Sequence, residues 1–141
     1  MKYYLAGPWF TDEQARKYRD IVQYIKSNIL KSGDEIFIPA EHEVPGAWDL
    51  SNQEWGERVF EMDLQALDAA DEVIVLDYGY NSDAGTAWEA GYAYAKRKQV
   101  THIRCGDGAI YSLMMANGCD STDSLLYLLN DFGIAECYEV K

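Results

Sequence analysis

Basic side chains are scarce in this sequence: 12 lysines and arginines stand against 24 aspartates and glutamates, a formal net charge of −12 over 141 residues. So acidic a chain offers no basic face to a phosphate backbone or an anionic membrane, and nucleic acid polymers and membranes are disfavoured as partners. Cysteine is sparse too. Cys105, Cys119 and Cys137 are odd in number and form no C-x-x-C pair, which fits a reduced, cytoplasmic setting and not a disulfide framework. No apolar run reaches the roughly 18 residues that a membrane span needs. Met1-Lys2-Tyr3-Tyr4-Leu5 is too short for the apolar region of a signal peptide. Neither G-x-G-x-x-G after the first strand nor G-x-x-x-x-G-K-[ST] occurs, so dinucleotide and P-loop readings have little support. Only His42 and His102 are available as imidazole ligands. The pair His102-x-x-Cys105 at a strand end reads as an edge histidine and a buried thiol, not as a metal site. Asp77-x-Gly79-x-Asn81-x-Asp83 has a misplaced glycine and Trp88 at its twelfth position, which rejects a calcium loop. The serines have no histidine at a spacing that suggests a hydrolase triad.

What is present is an ordinary globular composition, 48% hydrophobic and 26% charged, at a length that suits one domain over residues 1–141 with its own core. Aromatic residues are plentiful, with 11 tyrosines and 4 tryptophans. They serve either a core and an oligomer interface or a stacking surface for a flat ligand.

Strand and helix patterns alternate along the chain. Lys2–Leu5 is a short strand that stops at Ala6-Gly7-Pro8, and Thr11 or Asp12 caps a helix to about Leu30, with Ile21, Tyr24, Ile25 and Ile29 on one face. Glu35–Ile38 is a second strand. Residues 40–51 form a long loop, and Ser51 or Asn52 caps a helix through Ala69. Val73-Ile74-Val75-Leu76, within Glu72–Asp77, has the unbroken β-branched character of a strand buried on both faces. A helix over Ala84–Arg97, a strand over Val100–Arg104, a helix over Ser121–Asn130 and a fifth strand over Ile134–Tyr138 complete the series. This order predicts an α/β fold, a five-stranded parallel sheet with helices on both faces. Ligands then bind beyond the carboxyl ends of the strands, at loops 6–12, 39–51, 77–85 and 105–112.

Two carboxylates stand out by their surroundings. Asp63 has Val59, Phe60, Ala66 and Leu67 as its helical neighbours. Burial among them raises the proton affinity of its carboxyl, which suits a general acid; a buried aspartate bound to a backbone N–H or an arginine fits the same pattern. Glu89, in the first turns of its helix, is flanked by Gly85, Thr86, Tyr92 and Ala93. The helix N-terminus favours its ionised form, and the small neighbours leave room for an approaching atom, as a nucleophile requires. Equally, small residues at these positions serve helix–sheet packing. One protonated and one ionised carboxyl group together are the equipment for cleaving a glycosidic bond, and an aromatic pocket suits a nucleobase leaving group.

Trp9-Phe10-Thr11-Asp12, Asp63-Leu64 and Asp83-x-Gly85-x-x-x-Glu89-x-Gly91-Tyr92-Ala93 resemble, in order and spacing, the nucleoside 2-deoxyribosyltransferase family over nearly the whole chain. The resemblance implies a flavodoxin-like fold, transfer of 2-deoxyribose between bases with retention and without a cofactor, and a homo-oligomer whose neighbouring subunits complete each active site. On this resemblance Glu89 is the nucleophile and Asp63 the acid that protonates the base. Asp83 holds the 5′-hydroxyl. Trp9 and Phe10 line the pocket with Gly7 beside them, Tyr3 or Tyr4 belongs to the same wall, and Glu43 contacts the base.

One segment departs from the family pattern. Where Asn-Leu-Met or Asn-Pro-Met is usual in the segment a neighbour donates to the sugar, this chain has Ser112-Leu113-Met114, with Asn117 further on. The serine resembles the related 2-deoxynucleoside 5′-monophosphate N-glycosidases, whereas Asp83 would repel a 5′-phosphate and the Trp9-Phe10 loop resembles the transferases. The expected function is therefore base exchange in nucleoside salvage. Nucleotide N-glycosidase activity and a non-catalytic nucleoside-binding module are the rival readings.

Overall fold

The computed structural model describes residues 1–79, 83–105 and 112–118. Its elements are β1 (Lys2–Ala6), α1 (Asp12–Tyr24), β2 (Glu35–Phe37), α2 (Asn52–Ala69), β3 (Glu72–Asp77), α3 (Ala84–Ala95), β4 (Gln99–Arg104) and α4 (Leu113–Gly118). The four described strands form one parallel sheet in the order β2-β1-β3-β4. The predicted helix over Ser121–Asn130, the fifth strand over Ile134–Tyr138, Cys119 and Cys137 lie outside the described residues.

Local chemistry accounts for the helix starts. Thr11 and Ser51 each close a reciprocal capping box, with Gln14 and Glu54 reaching back to the cap N–H groups. The first helix does not run unbroken to Leu30 as expected. From Ile25 to Ile29 it widens into a π-helical turn, because the Asn28 side-chain amide donates to the Tyr24 carbonyl at 3.1 Å and competes with the backbone ladder. The loop after β2 is tightened by two 3-10 turns, Pro39–Glu41 and Ala47–Asp49, the second entered through Gly46 at φ 69°. α4 was not expected: Leu113–Gly118 is short and ends in Asn-Gly, although Ser112 directly precedes it.

The sheet is covered on both faces. α1 packs on one, where Leu5, Ile21, Ile25, Ile74, Leu76 and Ile103 form an apolar core. α2 and α3 pack on the other, where Tyr4, Ala6, Leu67, Val73, Val75, Ala90 and Ala93 form a second. β1 lies between β2 and β3, so the chain leaves neighbouring strands in opposite directions, and a crevice opens at their carboxyl ends. Gly7 leaves β1 at this point. A Cβ there would meet the Leu76 side chain at 2.8 Å, so only glycine lets the loop pass so close to β3.

Candidate active site

α2 and α3 run side by side, and a cleft of about 390 Å³ opens between them. Asp63 and Glu89 both line it, with Gly85 and the apolar side chains of Phe60, Leu64 and Trp88. Among the described residues, one oxygen of each carboxyl group, Asp63 Oδ1 and Glu89 Oε2, is buried without a hydrogen-bond partner, as is the hydroxyl of Tyr4. Among the described residues neither an arginine nor a backbone N–H meets Asp63 Oδ1, so the purely structural reading of that aspartate finds no support at this atom. Buried polar atoms are almost always paired. Here three such atoms, from Tyr4, Asp63 and Glu89, leave the polar network open.

Burial raises the proton affinity of Asp63, opposed by the charge of His42. Glu89 is affected more strongly: burial pushes its pKa up to about 7, the Tyr4 hydroxyl pulls it down, and the charges of Asp63 and Asp83 push it up again. Tyr4 itself is driven well above the ordinary tyrosine value by burial and by Glu89 and Asp63. This corrects the expectation that the helix N-terminus keeps Glu89 firmly ionised. In so enclosed a site desolvation outweighs the helix dipole, whose effect is only about 0.3–1 kcal/mol at exposed positions. The arrangement therefore holds two carboxyl groups of raised proton affinity beside a neutral phenol.

Asp83 caps α3. Its Oδ2 accepts from the Thr86 N–H at 2.8 Å and from the Thr86 hydroxyl at 3.1 Å. A Cβ on Gly85 would lie 3.0 Å from Asp83 Oδ2 and 3.9 Å from Glu89 Oε1, so the glycine keeps open one small space bounded by both carboxylates. Of the two tyrosines left open by the sequence, Tyr4 belongs to this site. Tyr3 points to the opposite face, where it packs against the α1 core.

The remaining expected residues are not gathered here. Trp9 packs against Tyr18, ring centroids 5.4 Å apart, on the α1 side of the sheet. Phe10 is 71% exposed. Glu43 is exposed in the loop after β2 and does not line the cleft. Ser112 and Asn117 line a separate cavity of about 420 Å³ on the opposite flank of α3, with Ala87, Ala90 and Gly91. Asn117 donates its amide to the Leu113 carbonyl at 2.8 Å. Within one chain, Ser112 and Asn117 are thus apart from Asp63 and Glu89.

Two features escaped sequence reasoning. His102 stands on β4, an outer strand among those described, yet it is paired: its Nε2 lies 2.7 Å from Asp77 Oδ2, and both side chains are buried. Asp77 also accepts from the Gly79 N–H at 2.9 Å. The two residues are far apart in sequence, and only the β3–β4 register brings them together. His42 stacks flat on Phe37, which no local pattern announces.

Comparison with known proteins adds an independent line. A family model described as nucleoside 2-deoxyribosyltransferase matches residues 3–126. A nucleoside deoxyribosyltransferase of Lactobacillus leichmannii is 23% identical over 103 residues, covering 69% of this chain and 66% of that protein, so the chain spans just under two thirds of this relative's length. Among solved structures, the 2-deoxyribosyltransferase of Bacillus psychrosaccharolyticus matches at a TM-score of 0.71 and 28% identity, over 99% of this chain and 100% of the other. A CMP N-glycosidase of Clostridium botulinum shares the fold, at a TM-score of 0.58 and 15% identity over 92% of this chain and 98% of its own.

Proposed function

Since the chain belongs to the nucleoside 2-deoxyribosyltransferase family, we propose that it exchanges the bases of 2-deoxyribonucleosides by a retaining double displacement. The observation that carries this reading is the pair of unpartnered buried oxygens, Asp63 Oδ1 and Glu89 Oε2, in one cleft of a size that suits a small ligand. Asp63 gives its proton to the departing base as the C1′–N bond breaks. A Glu89 oxygen forms a bond to C1′ on the opposite face of the sugar. The incoming base then attacks C1′, the glutamate leaves as a carboxylate, and a proton returns to Asp63. With a pKa of about 7, Glu89 is both ionised enough to attack near neutral pH and basic enough to be a good nucleophile. A 2′-hydroxyl would crowd this carboxylate, so deoxyribosides are the expected substrates.

Asp83 keeps one oxygen for the α3 cap and uses the other for the sugar's 5′-hydroxyl. Trp9, Phe10, Gly7 and Glu43, which do not line the Asp63–Glu89 cleft, are assigned to the base side of the substrate site by the family resemblance alone. Ser112 and Asn117 act in the site of a neighbouring copy in a homo-oligomer, which agrees with their distance from the cleft of their own chain. The setting is nucleoside salvage in the cytoplasm, with free purine or pyrimidine bases as acceptors.

A second reading, hydrolysis of deoxynucleoside 5′-monophosphates, has a specific observation behind it, the serine at position 112. A chromatographic assay separates the two. Thymidine or deoxycytidine monophosphate is supplied singly as donor, with and without free adenine. Deoxyadenosine formed only when adenine is present is the expected result. Cytosine released from the monophosphate regardless of adenine would instead favour the hydrolase.

A further inference from the structure

The loop after β2 reaches the carboxylates through a column of rings. Tyr4 and Phe37 are paired directly across β1 and β2, so they share a face of the sheet. Their rings lie nearly parallel, 5.5 Å apart with planes 11° apart. The 3-10 turn over Pro39–Glu41 folds the chain back, closed by the His42 N–H donating to the Pro39 carbonyl at 3.1 Å. His42 thereby lands flat on Phe37, 4.1 Å away and 9° from parallel. Next to it, Glu41 is tied to Lys26 at 2.8 Å, which pins this end of the loop to the helical turn following α1.

We propose that Phe37 and His42 are positioning residues: their rings seat Tyr4, and through it the placement of the 39–51 loop is passed to the hydroxyl beside Glu89. The inference rests on the proposed role of Glu89 as nucleophile. Tyr4 and Glu89 each keep a buried oxygen without a partner, although each acts on the other's proton affinity. With neither oxygen held by another group among the described residues, a small shift of the ring decides whether the two bond. Glu89 is faced by Asp63 from α2, Asp83 from the α3 cap and Tyr4 from β1, and Tyr18 of α1 feels its charge as well. Of these, Tyr4 alone favours the ionised carboxylate. A base that orders the loop tightens the column and so favours the charged nucleophile.

The test uses the full chain, uniformly labelled with carbon-13. The carboxyl resonance of Glu89 is assigned by its loss in Glu89→Gln and titrated by NMR in the wild type, His42→Leu, Phe37→Leu and His42→Phe. His42 is exposed, so its variants keep the fold. The two leucine variants are expected to move the Glu89 titration to higher pH and to lower kcat for base exchange roughly threefold to tenfold with donor KM held, a loss of positioning and not of binding. His42→Phe, which keeps a flat ring, should restore both. If His42→Leu and His42→Phe give the same titration and the same kcat, the ring does no positioning and the inference fails. If the titration behaves as expected but the wild type exchanges no base, the column stands and the transferase reading fails.

Discussion

Beneath α1 the sheet presents Leu5, Ile74, Leu76 and Ile103 to Ile21 and Ile25, all at 1% exposure or less, whereas beneath α2 and α3 it presents Ala6, Val73 and Val75 to Leu67, Ala70, Ala90 and Ala93. The first face is filled with large branched side chains that gain the most from leaving water. The second is lined with small ones, and the volume they leave is where Tyr4, Asp63 and Glu89 converge. The two faces divide the labour. One stabilises the sheet, and the other tolerates unpaired polar atoms that cost stability and supply chemistry.

Substitutions on the two faces should therefore fail in opposite ways. Glu89→Ala should reduce kcat at least about a thousandfold while the melting temperature holds or rises, because a buried atom without a partner is removed. Surviving turnover would discard the nucleophile assignment. On the opposite face Ile21→Ala should cost about 2–5 kcal/mol in urea unfolding, with kcat per folded molecule unchanged. An equal loss of kcat would mean that the faces are not independent.

The contrast extends to pH. Burial raises Glu89 from an ordinary value of 4.5 to about 7, so between these values the folded chain binds the proton more tightly than the unfolded one. Its contribution is full below pH 4.5 and is lost as pH rises through about 7. Wild-type stability should thus fall relative to Glu89→Gln between pH 5 and pH 8. Urea midpoints measured at the two values check this, and a constant difference would show that Glu89 is not desolvated. The acid limb of kcat/KM should lie near pH 7 for the same reason. The smallest effect concerns Asp83. Asp83→Ala should cost about 1 kcal/mol through the lost cap, whereas Asp83→Ser, which still caps α3, should keep the stability and weaken binding of the 5′-hydroxyl. Equal donor KM for Asp83→Ser and the wild type would leave Asp83 a cap alone.

Much of this was legible in the sequence because the signals are local. The Val73–Leu76 run belongs to a strand with both faces covered, and its limits, Glu72–Asp77, are those observed. Ser51, one of the two cap candidates, starts α2, and the apolar neighbours of Asp63 foretell its desolvation. A helix turn also brings Asp83, Gly85 and Glu89 together, as their spacing implies. Non-local juxtapositions stayed hidden. Choosing Tyr4 over Tyr3 requires knowing which face of β1 carries the carboxylates. His102 finds Asp77, and His42 reaches Phe37, through strand register and a 3-10 turn. The raised proton affinity of Glu89 was not foreseen, because a spacing pattern shows the helix terminus but not the depth of burial.

The position of β1 in the middle of the sheet has a consequence for synthesis. Tyr4 precedes both of its sheet partners in the chain, pairing with Phe37 on one side and Val73 on the other. Both edges of the apolar stretch Tyr3–Ala6 are satisfied only once the chain has been translated through Asp77. Until then this segment emerges from the ribosome as an unpaired strand, the kind of exposed edge that chaperones shield. Parallel pairings across such sequence distances also slow folding once they become possible. The central strand that later carries Tyr4 to the carboxylates is thus made before both of the strands it pairs with.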